Sequence, residues 1–108
     1  MPRIGFRMKI KPEFHVEYVK IHQNVDRELI EEYRMLGVTN YAIFIQEDGT
    51  LFAFMECDDW AAFERAVQRS PNQAEWAKKV YHMFETQPDR EGGMAMLQEA
   101  FHMDEEVP

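Results

Sequence analysis

Tyr18, His22 and Asp26 stand at i, i+4 and i+8 in a stretch of helical periodicity, so successive side chains would share one helix face. Together they offer a hydroxyl, a group that exchanges protons near neutral pH, and a carboxylate able to orient or charge it. That set suits general acid–base work. A carboxylate beside the imidazole would favour the imidazolium, so Asp26 predicts a raised pKa for His22. The same spacing also suits a core tyrosine with a histidine at its solvent edge, and spacing alone favours that plainer arrangement. Tyr41 and Trp76 are ambiguous in the same way. Tyr41 is an ordinary strand aromatic whose hydroxyl could meet a polar ligand at a sheet mouth. Trp76 has core spacing, but an indole also packs against the C–H faces of sugars and keeps its N–H as a donor.

Other chemistries find little support. Gly49, Gly92 and Gly93 form no glycine-rich phosphate cradle, and no dinucleotide fingerprint occurs. His15, His22, His82 and His102 lack metal-ligand spacing, so no metal and no cofactor are expected. The single cysteine, Cys57, excludes an intramolecular disulfide and reads as a small buried hydrophobe. Met8, Met55, Met83 and Met94 read as adaptable core fillers. Lys78-Lys79 and the acidic run Asp104-Glu105-Glu106 read as solvated surface.

The elements that must position these residues follow from periodicity. Ile4, Phe6, Met8 and Ile10 alternate with polar or small residues, which predicts a strand. Pro12 ends it and suits a first helical turn. Residues 13–36 predict one long helix, with Phe14, Tyr18, Ile21, Val25, Leu29, Tyr33 and Leu36 as its apolar stripe and Gly37 as its stop. Residues 39–47 and 50–57 flank Asp48-Gly49 and predict a hairpin that places Tyr41 with Ile43 and Ile45. Asp58-Asp59 could cap a helix through Trp60, Phe63 and Val67. Ser70-Pro71-Asn72 interrupts, and residues 72–84 predict a further helix carrying Trp76. A loop with Gly92-Gly93 leads to a strand over Met94–Met103, where Glu99 interrupts an otherwise apolar parity.

The order βαββαβ predicts a single α+β domain over residues 1–108, a ferredoxin-like sandwich with helices on one sheet face. The other face would be uncovered in a monomer although its strands are apolar, so a homodimer packing sheet on sheet is expected. A chain of 108 residues can build one core. Its net charge of −8 repels phosphate backbones and acidic membranes, so neither nucleic acid nor membrane is an expected partner. No apolar run suggests a membrane span, and the first residues show no secretory leader. The expected compartment is the cytoplasm.

The pieces Phe6-x-Met8-x-x-x-Pro12, Glu17-Tyr18-x-x-x-His22, Glu28-Leu29, Gly37-x-x-Asn40-Tyr41-Ala42-Ile43, Trp76, Met83, Pro88 and Leu97-x-Glu99-x-Phe101 follow one another nearly end to end. In that order the chain resembles the L-rhamnose mutarotase family. The resemblance implies a dimeric α+β barrel, a monosaccharide substrate, and interconversion of the α and β anomers of a 6-deoxy-hexose. It implies His22 as proton donor and Tyr18, Tyr41 and Trp76 as sugar contacts. Asp26-Arg27 stands where the family has Trp-Pro, and Ala77 where it has a second Trp. These departures predict a wider, more polar pocket with Asp26 at the substrate, and admit L-fucose or another sugar beside L-rhamnose. An uncharged sugar fits Asp26 and the net charge better than an anionic one. The competing expectations are a non-catalytic ligand-binding barrel and a cofactor-free monooxygenase-like barrel. In the latter His22 and Tyr41 would border a dry apolar cavity.

Overall fold

The computed structural model describes residues 2–103, so the acidic run at 104–106 lies outside the described residues. Four strands, β1 (Arg3–Lys9), β2 (Val38–Ile45), β3 (Thr50–Cys57) and β4 (Ala95–Leu97), form one antiparallel sheet in the order β2-β3-β1-β4. Alternation sends Phe6, Met8, Leu51, Ala53 and Met55 to one face, where they are buried. There they meet Tyr18, Leu29, Trp76 and Val80 from the helices, which fixes the helix layer on that face. Cys57 is fully buried beside Val38, Met55 and Phe63. No helix among the described residues is long and apolar enough to cross a membrane.

The hairpin forms as its turn chemistry demands. Gly49 has φ +93°, and a side chain there would meet the Ile10 carbonyl oxygen at 2.2 Å, so only glycine fits. The Asp48 carboxylate accepts from the Thr50 N–H at 2.9 Å. Helix α3 (Trp60–Gln68) is capped by Asp59, whose Oδ1 accepts from the Ala62 N–H at 3.1 Å. Helix α4 (Pro71–Val80) is capped by Ser70, whose Oγ accepts from the Gln73 N–H at 3.0 Å, with Pro71 in the first turn.

Two expected elements differ. The single helix over 13–36 is instead α1 (His15–Ile21) and α2 (Arg27–Met35), with 3-10 turns over Pro12–Phe14 and His22–Asn24. Val25 and Asp26 are extended, at ψ 142° and 126°. Asp26 starts a new helix, its carbonyl accepting from the N–H groups of Leu29 and Ile30. Asn24 and Asp26 are residue types whose short polar side chains favour helix ends over interiors. The apolar stripe runs across the break because both helices pack on one core, so periodicity alone hides it. The strand expected over Met94–Met103 ends at Leu97. Gly5 pairs with Leu97, so continued register would set Arg3 opposite Glu99. There the ladder gives way to a side-chain ion pair, with Arg3 donating to both Glu99 oxygens at 2.7 and 2.9 Å.

Candidate active site

An open cavity of about 1290 Å³ lies between the helices and the inner sheet face. Tyr18, His22, Tyr41 and Trp76 all border it. The helix break accounts for the position of His22. At the end of α1 its Nδ1 lies 2.8 Å from the Tyr18 carbonyl oxygen, to which Nδ1–H donates. That fixes the tautomer and leaves Nε2 without a hydrogen-bond partner among the described residues. The imidazole lies against the Tyr18 ring, centroids 4.0 Å apart, and meets Trp76 edge-on at 5.3 Å. Tyr41, on β2, borders the same cavity with its ring centroid 6.1 Å from that of Tyr33, and Ile43 also lines the wall.

Asp26 corrects two expectations. It is not on the cavity wall, and it does not act on His22. The extended backbone at Val25 and Asp26 takes it off the face that Tyr18 and His22 share. Its carboxylate instead accepts from Lys79 Nζ at 2.6 Å. The expected rise in the His22 pKa is accordingly absent. Burial lowers it from the ordinary value, outweighing the opposite pull of the Tyr18 carbonyl. Near neutral pH the imidazole is therefore mainly uncharged, with an Nε2 lone pair ready to accept.

Sequence reasoning missed three groups. Lys79, expected in bulk solvent, joins Asp26 and lies 5.8 Å from the Trp76 ring centroid. Its i+3 spacing from Trp76 was the available signal. Tyr33 belongs by spacing to the apolar stripe and Tyr81 carries no signal in the sequence, yet all four tyrosines of the chain border this one cavity. Burial raises the Tyr18, Tyr33, Tyr41 and Tyr81 phenols above the ordinary range. Neighbouring phenols add to this: Tyr41 acts on Tyr18 and Tyr33, and Tyr81 acts on Tyr41. The phenols stay protonated at neutral pH and serve as hydrogen-bond donors rather than bases. Ala77 also borders the cavity, where it offers only a methyl group. Among the described residues, no group of three or more His, Cys, Asp or Glu could hold a metal ion.

The strand order and the one-sided helix layer define a ferredoxin-like α+β protein, with four phenols bordering the cavity beneath its helices. Residues 3–103 match the family model described as L-rhamnose mutarotase. The chain belongs to the L-rhamnose mutarotase family. It is 33% identical over 105 residues to the L-rhamnose mutarotase of Oceanobacillus iheyensis, covering 96% of this chain and 100% of that one. The crystal structure of an L-rhamnose mutarotase from Formosa agariphila superposes with a TM-score of 0.81 at 26% identity, covering 96% of this chain and 100% of that one. An antibiotic biosynthesis monooxygenase shares the fold alone, with a TM-score of 0.56 at 18% identity, covering 94% of this chain and 100% of that one. Family membership and these relatives support a carbohydrate mutarotase, an isomerase-type enzyme.

Proposed function

We propose that this chain, as a single domain, interconverts the anomers of an uncharged 6-deoxy-hexose such as L-rhamnose or L-fucose, with His22 as the proton-transfer group. The observation that carries this is the imidazole at the cavity wall, its Nδ1–H committed to the Tyr18 carbonyl and its Nε2 without a partner among the described residues, while burial favours its neutral form. Nε2 takes the proton of the anomeric hydroxyl. The C1–O5 bond breaks as the C1 carbonyl forms, and the electron pair goes to O5. The imidazolium then gives its proton to O5. Rotation about C1–C2 and the reverse sequence close the ring on the other carbonyl face. Every proton taken is returned, so the reaction balances without an added reactant.

Tyr18 and Tyr41, kept neutral by burial, donate to sugar oxygens and stabilise the charge that builds on O5. Trp76 covers an apolar sugar face. The phenols of Tyr18, Tyr33, Tyr41 and Tyr81 and the His22 imidazole, set in an otherwise apolar wall, favour a sugar over the flat apolar compound of a monooxygenase-like reading. Exchange between anomeric protons, followed by saturation-transfer NMR, tests the proposal. Protein-dependent exchange that disappears in His22→Ala supports it. Sugar binding without exchange would leave a non-catalytic binding module instead.

The functional unit in this reading is a cytoplasmic homodimer. The sheet face away from the helices presents Phe44, Phe52 and Leu97, at 68%, 37% and 43% exposure. A second copy of the same face would cover them. Sedimentation of Phe44→Glu tests this, since a shift from dimer to monomer is expected and an unchanged dimer would place the interface elsewhere.

A further inference from the structure

The wall formed by α2 and α4 carries a hydrogen-bonded set that proton transfer does not use. The Tyr33 hydroxyl donates to Gln73 Oε1, which joins residues 40 positions apart. With that oxygen engaged, the Gln73 NH2 group is the part left to donate, and the same side chain interacts with the Tyr81 phenol. The Tyr81 proton and the Tyr33 lone pairs are then the unspent capacity of the set. All three residues border the cavity.

Helix α4 sets the distance to the reacting end. Gln73 and Trp76 are three residues apart, about 4.5 Å along the axis. Trp76 touches the His22 ring. The Tyr33–Gln73 pair therefore joins α4 about one helical turn before Trp76, the residue whose ring edge meets the imidazole. The pair is also anchored. Next to it, Glu32 Oε1 accepts from Ser70 Oγ at 2.5 Å and from Asn72 Nδ2 at 3.2 Å, which ties α2 to the start of α4. The Tyr33 ring itself packs edge-on against Phe63, centroids 5.0 Å apart.

We propose that Tyr33, Gln73 and Tyr81 form a specificity-determining wall that hydrogen-bonds the sugar hydroxyls farthest from the anomeric carbon, those on C3 and C4. This rests on the mutarotase reading and names the part of the substrate that is read. A site built to pair with a hydroxyl rejects an analogue lacking it, because its own polar groups are then left unpaired. The wall touches no reacting proton, so its loss weakens ground state and transition state alike and falls on KM rather than kcat.

The test uses the whole chain, with L-rhamnose and its 4-deoxy analogue as probes. Anomeric exchange gives kcat and KM, and saturation-transfer difference at the C3 and C4 protons gives contact. Tyr33→Phe keeps the ring packing and removes only the hydroxyl. It should raise KM for L-rhamnose roughly three- to tenfold, leave kcat within about twofold, and lessen the preference for L-rhamnose over the analogue. Tyr33→Phe combined with Tyr81→Phe should abolish that preference. Unchanged KM and unchanged preference in both variants overturn the wall, as does a loss confined to kcat. His22→Ala should lose exchange and keep saturation at C3 and C4. A wild-type protein without exchange, whose C3 and C4 saturation still depends on Tyr33, retains the wall and removes the mutarotase reading. A wild-type protein that binds neither probe removes both.

Discussion

At one end of the cavity, His22, just past the end of α1, is held by a carbonyl four residues earlier within that helix. At the other, Tyr33 is held by Gln73, 40 residues later, and the neighbouring Glu32 by Ser70, 38 residues later. The hydrogen bond at the first end is fixed by local backbone geometry, and the ring then rests against the Trp76 edge on α4. The second exists only when α2 and α4 are docked. The two ends therefore respond differently to damage. On the proposed mechanism, substitution at His22 should remove chemistry and leave the fold, whereas substitution at the α2–α4 junction should loosen the fold and reach chemistry only indirectly.

The largest expected effect lies at the local end. His22→Ala should lower protein-dependent anomer exchange by roughly 10²–10⁴-fold, about 3–5 kcal/mol in barrier, the range of a positioned acid–base group. Its far-UV circular dichroism should match the wild type, since the ring contributes one local hydrogen bond. A fold lost together with activity would erase the contrast between the two ends.

Next in size is the junction. Ser70 is 6% exposed and serves twice, as the cap of α4 and as a donor to Glu32. Ser70→Ala removes a cap and leaves a partly buried carboxylate short of a partner, at a cost of about 1–2 kcal/mol. For a chain of this size that lowers Tm by roughly 5–10 °C. Thermal denaturation checks it, and kcat should fall much less than in His22→Ala. A Tm within a degree of wild type would show that α2 and α4 are held by apolar packing alone.

The same difference in reach explains what the amino-acid sequence discloses. The hairpin at Asp48-Gly49, the cap at Asp59, the interruption at Ser70-Pro71 and the βαββαβ order each rest on residue types close in the chain, and each is present. The Tyr18–His22 pair was legible for that reason. The break at Asn24–Asp26 was not, because an apolar stripe continuing over two helices has the period of one. Glu99 looked misplaced within a strand until register set it against Arg3. Tyr33, Gln73 and Tyr81 gave no local signal, since only docked helices bring them to one cavity. Asp26 misled because its spacing from His22 assumed an unbroken helix.

The pH response follows from the lowered His22 pKa, and its sign differs from the one the Asp26 spacing suggests. A reaction that starts from the neutral imidazole should have kcat/KM flat through neutral pH. It should fall only as the pH drops through the folded-state value, which lies below the ordinary 6.5. Stability has the same sense. Above the ordinary value both folded and unfolded chains hold the imidazole neutral. As the pH falls through that value the unfolded chain binds the proton first, so stability declines with acid. A kcat/KM midpoint above 6.5 would mean that a carboxylate reaches His22 after all.

The smallest expected effect bears directly on that point. Asp26→Leu removes a carboxylate whose partner is Lys79, in a pair with side chains 23% and 48% exposed. Partly solvated pairs of this kind contribute about 0.2–1 kcal/mol, so Tm should fall by only a few degrees. The kcat/KM midpoint should stay where it is, because the charge that stabilises an imidazolium must lie close to it, and Asp26 does not act on the ring. Release of Lys79 changes charge near Trp76, whose ring centroid it approaches to 5.8 Å, so any kinetic change should appear as a small shift in KM. A midpoint that moves down by half a unit or more in Asp26→Leu would restore the i, i+4, i+8 arrangement. It would also require the break after His22 to close in the working enzyme, making the local end of the cavity as dependent on tertiary docking as the far one.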